Sequence, residues 1–394
     1  MRIKDFTHFD RILIFIIGAM IVLQFPINLS RLAGVGFFQS DYFLLMFALV
    51  LALAMLNLVI SIKSPLRETQ FLGIMILFNI WIFAMGIIES NNDAILGIRY
   101  FIFPFFVYLL LIGREFPIFF YVSSGFWKIV LLGHALGILY FYGNLIGRVY
   151  PGIGVQSVAY AAIFFLINRN PVLAGISILL IVLEGKRSIL LSLMITFIFL
   201  RLVKLNVAGR LIYSIFGGIL ISAILVIALL LIADMEGTVL INRINDLNPF
   251  SDRYDIFLGT SGRLGEIVSF FGNQSLGSVL IGSGSGFEYE WALGYDSAAS
   301  GEEKGYLHMS ALNYIAAGGM LGAITFYYMA CLPFKASNLT DHLQIRTTAF
   351  GLGLFSIIQS FSGFSLSTDA ISLLFIICPA LINPAASKLK PRKP

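Results

Sequence analysis

Residues 70–88 read QFLGIMILFNIWIFAMGII, an apolar run without a single charged side chain. A bilayer's hydrocarbon core takes a helix of about 20 such residues, because a helix satisfies its own backbone hydrogen bonds where there is no water to do so. Runs of the same kind recur on both sides of this one. They predict spans near 12–29, 41–61, 70–88, 95–112, 116–142, 152–167, 171–184, 187–203, 211–233, 308–333, 346–362 and 370–385. The expected fold class is an all-α polytopic membrane protein with about 12 transmembrane helices. Residues 1–233 would form helices 1–9, residues 234–307 a long loop or cap, and residues 308–394 helices 10–12 with a basic tail.

Composition excludes the other classes. The 394 residues are 58% hydrophobic and 12% charged, with a mean hydropathy of +0.91. Soluble domains average roughly 45–50% apolar and about 25% charged residues. Neither a water-soluble globule nor a disordered chain fits. Cys331 and Cys378 each sit in an apolar run, which argues against a disulfide framework or a cysteine metal site. The net charge of +5 comes from scattered residues with no Lys/Arg block, so nucleic acid is not an expected partner. Arg2, Lys4 and Arg11 precede the first run as in a signal peptide. Gln24-Phe25-Pro26-Ile27 is a poor cleavage site, however, and an uncleaved first span is expected.

The basic residues orient the chain. With the N-terminus cytoplasmic, inner segments hold 16 of the 26 Lys/Arg, including Arg114, Arg169, Lys335 and the four-residue basic set of the C-terminal tail, while outer segments hold 8. That bias follows the positive-inside rule and puts both termini in the cytoplasm. The stretch Asp234–Leu307 then lies outside, with eleven acidic and four basic residues. A loop of this length is usually functional. Helical periodicity in Ser261–Phe271 predicts a small folded cap.

Charge at the edge of a membrane is costly, so each exception is a candidate site. Glu184-Gly-Lys186-Arg187-Ser188 puts two cations on an outer turn, against the trend. It is either an anion site for a phosphate or diphosphate, suited to the guanidinium fork, or a turn in which Glu184 pairs with its neighbours. Arg263 opens the helical stretch of the cap. It either faces an anion with the helix N–H groups or forms a solvated pair with Glu266. Gly282-Ser-Gly284-Ser-Gly286 lacks the spacing and setting of a nucleotide loop, and reads as an anion nest or, more simply, a flexible turn. His308 stands at the outer end of the tenth span, where neutral imidazole can accept a proton or serve only structure. Gly318, Gly319 and Gly322 downstream predict close helix packing. Arg99 falls inside the fourth predicted span, either lining the same cavity or pairing with an acid. The four histidines are dispersed, so no metal site is expected.

The order of these features resembles the bacterial O-antigen polymerase and O-antigen ligase superfamily. The shared elements are many spans, a basic pair on an outer turn (Lys186-Arg187-Ser188), and a long late loop carrying Ser261-Gly-Arg263 and the Gly-rich stretch Ile281–Phe287. A histidine then opens the next span with glycines at fixed offsets (His308, Gly319, Gly322). The likeness covers roughly residues 180–335. Met309 departs from the ligase-type pattern, which has Asn, Ser or Gln after the histidine, and this favours the polymerase.

The resemblance implies a membrane glycosyltransferase (GT-C-like) architecture with the long periplasmic loop before the tenth span. It implies a substrate, undecaprenyl-diphosphate-linked oligosaccharide, met at the periplasmic face of the inner membrane. Arg187 and Arg263 would hold the diphosphate with Lys186 and Arg99 assisting, and His308 would orient or deprotonate the acceptor hydroxyl. No cofactor, metal or nucleotide would be required. Besides the bilayer, the implied partners are a chain-length regulator and a flippase. The rival readings are a ligase that transfers glycan to the lipid A core and a flippase for lipid-linked sugars. A transporter would place its charges near mid-membrane, on paired interrupted helices.

Overall fold

The structure, a computed structural model, describes residues 6–32, 41–61, 68–91, 94–144, 155–183, 187–204, 263–271, 274–290, 303–304, 307, 309–338, 343–361 and 370–381. The chain is predominantly α-helical. Its first helices are α1 (His8–Leu32), α2 (Asp41–Ile60), α3 (Thr69–Ile88), α4 (Ala94–Gly97), α5 (Arg99–Leu111) and α6 (Ile118–Val122). They are followed by α7 (Ser124–Asn144), α8 (Val155–Ile167), α9 (Pro171–Leu183) and α10 (Arg187–Lys204). The cap region contributes α11 (Arg263–Phe271), α12 (Leu276–Ile281) and an antiparallel ladder of β1 (Tyr289–Glu290) with β2 (Glu303–Lys304). The last helices are α13 (Ser310–Cys331), continued by a 3₁₀ turn to Asn338, then α14 (Leu343–Ser360) and α15 (Ala370–Leu381).

In every predicted apolar run except 211–233, which lies outside the described residues, the described residues are mainly helical. Three runs are divided. The fourth passes from α4 to α5 at Ile98. The fifth breaks at Ser123, whose backbone is extended and whose hydroxyl accepts the Phe126 N–H at 3.3 Å, capping α7. The tenth breaks at Gly319 (φ 56°, ψ −131°) inside α13. Among the described residues, Thr69–Ile88 and Ser310–Ala336 are long and apolar enough to cross a membrane. The second is two half-helices in series, 310–318 and 320–331.

The bundle has an apolar core and, unlike a water-soluble protein, an apolar outer surface as well. α3 buries Phe71, Met75, Phe78, Asn79, Ile82 and Gly86 at spacings of three and four, yet its outer face carries Leu77, Ile80 and Ile88, the last 68% exposed. Phe15, Val59, Leu132 and Met320 are likewise exposed, while Asn57, His134, Ser177, Thr196 and Thr348 are buried. Soluble monomers rarely expose so much apolar surface. Buried hydroxyls on the helices return to their own backbone, as Ser177 does to Leu173 O (2.8 Å) and Thr196 to Ser192 O (2.7 Å).

The core is aromatic. Trp127 meets Phe126, Phe164 and Phe375, and its indole N–H donates to Phe120 O at 2.8 Å. Beside it, Tyr160 of α8 brings its hydroxyl within 2.8 Å of Ser356 Oγ on α14 and 2.7 Å of Ser372 Oγ on α15. One buried hydroxyl cluster thus joins three helices.

At one end of the bundle, Arg114 is buried on the turn after α5. Its guanidinium donates to Asn57 Oδ1 and to Ser61 Oγ (2.9 Å) and lies 4.8 Å over the Phe9 ring. Asn57 in turn donates to the carbonyls of Leu109, Leu110 and Ile112. Burial lowers the pKa of Arg114, an effect partly offset by Asp10. Glu115 is pushed above the ordinary carboxylate range, first by burial and then by Asp10. A second polar contact, Lys335 with Glu68, ties the end of α13 to the start of α3, and Asn168 meets Gln344.

Candidate functional site

The site is built around the loop Gly282-Ser-Gly284-Ser-Gly286. Interrupting α13 at Gly319 robs the last carbonyls of its first half of their partners further along the helix. The loop supplies substitutes: Ser283 N–H donates to Ala316 O (2.8 Å) and Gly284 N–H to Ala317 O (2.9 Å). On its other side Ser285 N–H donates to Ile82 O of α3 (2.8 Å), and Ser285 Oγ donates to Ala94 O of α4 (2.9 Å). Asn91, between α3 and α4, donates its amide to both Ser283 O and Ser285 O at 2.9 Å, and Trp81 donates to Ile281 O at 3.0 Å.

Backbone approaches backbone so closely here that side chains have no room. A Cβ on Gly282 would lie 2.4 Å from Ala317 O, and one on Gly97 would lie 2.2 Å from Gly286 N. The expectation of a flexible turn is therefore corrected: the segment is a buried wedge with its polar groups paired to three helices. The packing expected of the downstream glycines holds for Gly318, which fits against the Phe78 ring and Ile82. Gly319 instead makes the break, and Gly322 comes against Tyr314 O across it.

The wedge leads directly into the cap. Phe287 and Tyr289 pack edge-on to Phe270 of α11, with centroids 5.2 and 5.7 Å apart. α11 begins at Arg263, so the helix expected in Ser261–Phe271 is present and docked. Glu266 on α11 is buried. Where α13 begins, Asn313 Oδ1 accepts the Leu307 N–H at 2.7 Å and its Nδ2 donates to Leu307 O.

Of the expected site residues, Lys186 and His308 lie outside the described residues. Arg99, Arg187 and Arg263 are described in their backbone, each as the first residue of a helix (α5, α10 and α11). Arg99 follows Gly97, which touches the wedge. The Arg263 helix docks on Phe287 and Tyr289, and α13, which begins two residues after His308, is bonded to Ser283 and Gly284. The contacts with residues 282–289 fall at Gly97, at Phe270, and at Ala316 and Ala317, in the helices α4, α11 and α13. α10, headed by Arg187, packs on α14, α8 and α9 instead.

The sequence reading missed Asn91, Ser285 and Asn313. A buried amide in an apolar helix is a signal, since it must find partners. Asn91 gave none, sitting in the polar turn Glu89–Asp93. In comparisons with family models, curated proteins and solved structures, the chain matches none.

Proposed function

We propose that this chain is an inner-membrane glycosyltransferase that polymerises undecaprenyl-diphosphate-linked oligosaccharide repeat units, of the O-antigen or a related surface polysaccharide, at the periplasmic face. The observation that carries the reading is that α4, α11 and the first half of α13, the elements next to Arg99, headed by Arg263 and following His308 in sequence, all contact the 282–289 loop. The exposed apolar faces of α2, α3, α7 and α13 support a bilayer setting. Segments assigned to the same side also meet: Asn57 with Arg114, Glu68 with Lys335, and Asn168 with Gln344 on the inner side, Gly86 with Ser285 on the outer. These pairings fit the alternation of sides that about 12 spans would give, and the Lys/Arg bias supplies the orientation with both termini inside.

The chemistry asks little of the protein. The acceptor hydroxyl attacks the anomeric carbon of the donor sugar, forming the new glycosidic C–O bond. The bond from that carbon to the diphosphate oxygen breaks, and undecaprenyl diphosphate leaves. Arg187, Arg263, Lys186 and Arg99 neutralise the charge that develops on the leaving diphosphate. His308 takes the proton of the acceptor hydroxyl. The diphosphate is already a good leaving group, so binding, orientation and charge neutralisation suffice.

The break in α13 is a feature transporters also use, where open backbone groups coordinate an ion or substrate. Here the carbonyls of Ala316 and Ala317 accept hydrogen bonds from the wedge, which favours the enzyme. The test is glycan chain length in cells carrying Arg187→Ala, Arg263→Ala or His308→Ala. Each is expected to leave single-repeat glycan with the protein still in the membrane. Surface glycan lost altogether from a deletion strain would point to a ligase, and unchanged chain length in both arginine variants would remove the anion site.

A further inference from the structure

We infer that Asn313 is a positioning residue for His308, an inference that rests on the role proposed for that histidine. The Asn313 side chain is buried, and its carboxamide is committed to one residue: Oδ1 accepts from Leu307 N–H at 2.7 Å and Nδ2 donates to Leu307 O. The Asn313 backbone N–H donates to Met309 O at 3.0 Å. Both chain neighbours of His308 are thus fastened to the same residue, one turn into α13.

The choice of side chain follows from the partners. Leu307 is fully buried, so its N–H and C=O have no water to turn to. A carboxamide offers one acceptor and one donor at the spacing a single residue's backbone presents. Asp lacks the donor, and an aliphatic residue lacks both. Met309, the N-cap of α13, has no side-chain capping bond, so the entry to the helix is ordered from inside it. This matters for a general base, which acts only within about 2.6–3.2 Å of its proton. A displacement of about 1 Å can cost about 100-fold in rate.

The experiment uses the full-length protein in detergent with lipid-linked repeat units, comparing Asn313→Ala, Asn313→Asp, His308→Ala and each Asn313 variant paired with His308→Ala. Asn313→Ala is expected to lower kcat roughly 10- to 100-fold while KM for the lipid-linked substrate stays within about twofold. On the residual rate of His308→Ala it should cost nothing further, because residues that act as a unit are not additive. Asn313→Asp keeps the side-chain volume and the acceptor for Leu307 N–H but loses the donor to Leu307 O. It is therefore the variant to read if Asn313→Ala does not reach the membrane, and it should show a kcat loss in the same direction that likewise disappears on the His308→Ala background. Wild-type kcat in either variant while His308→Ala is crippled overturns the inference and leaves the proposed function standing. So does a loss of equal size with and without His308. Full activity in His308→Ala overturns the histidine's role and, with it, this inference.

Discussion

Gly284 meets Gly86 backbone to backbone: a Cβ on Gly284 would stand 2.2 Å from Gly86 N, and one on Gly86 would stand 2.6 Å from Ser285 O. The two glycines are almost 200 residues apart, one in the cap and the other near the end of α3. Their contact seats the wedge between α3 and the broken α13, and it fixes where the cap emerges from the bundle.

Gly284→Ala should therefore destabilise the protein by at least about 2 kcal/mol, from the clash and from the left-handed backbone (φ 79°) that a side chain disfavours. Gly73→Ala, also a glycine of the bundle, meets nothing within 4 Å and should leave stability unchanged or raised by up to about 1 kcal/mol. Thermal melts in detergent separate the two. Equal midpoints would contradict the close approach.

The helices of the bundle were legible because apolar runs bounded by charge leave few other options, and α11 because its period of 3.6 stands out in a polar loop. The wedge was not. Gly282-Ser-Gly284-Ser-Gly286 carries no local sign of where its backbone will go, and a glycine such as Gly319 inside a helical run reads as packing until the opposing loop is seen. Arg114 counted only as an inner-side charge, since its partner Asn57 lies on a different helix.

Two tyrosine-to-phenylalanine changes should act with opposite sign. Tyr160→Phe leaves Ser356 and Ser372 without their shared hydroxyl and should cost about 1 kcal/mol. Tyr314 stacks on Phe78 at 5.2 Å, and its buried hydroxyl has no hydrogen-bond partner among the described residues. Tyr314→Phe removes that desolvated group and should be neutral or stabilising by up to about 2 kcal/mol. Melting temperatures of the pair decide it, and a marked loss in Tyr314→Phe would mean that the hydroxyl has work to do.

Asn57→Ala should be among the most damaging changes in the inner half. It leaves three backbone carbonyls and part of a buried guanidinium without partners, at roughly 3 kcal/mol. Poor yield or a sharply lowered melt is expected; wild-type stability would show that water reaches the site.

Glu115 gives a pH signature. Its carboxyl is raised in the folded state, so the folded protein holds that proton more tightly than the unfolded chain. The associated stability is present in full below the unfolded carboxylate value, roughly pH 4, and is lost as pH rises through the raised folded value. Glu115→Gln should flatten the decline of melting temperature across that window. An unaltered slope would assign the decline to other groups.

The most direct test of the central claim is a reconstitution of the purified wild-type protein with lipid-linked repeat units and nothing else. The account predicts a ladder of products longer than one repeat, formed without added metal or nucleotide and absent with Arg263→Ala. Single repeats recovered unchanged from well-folded wild-type protein would contradict it.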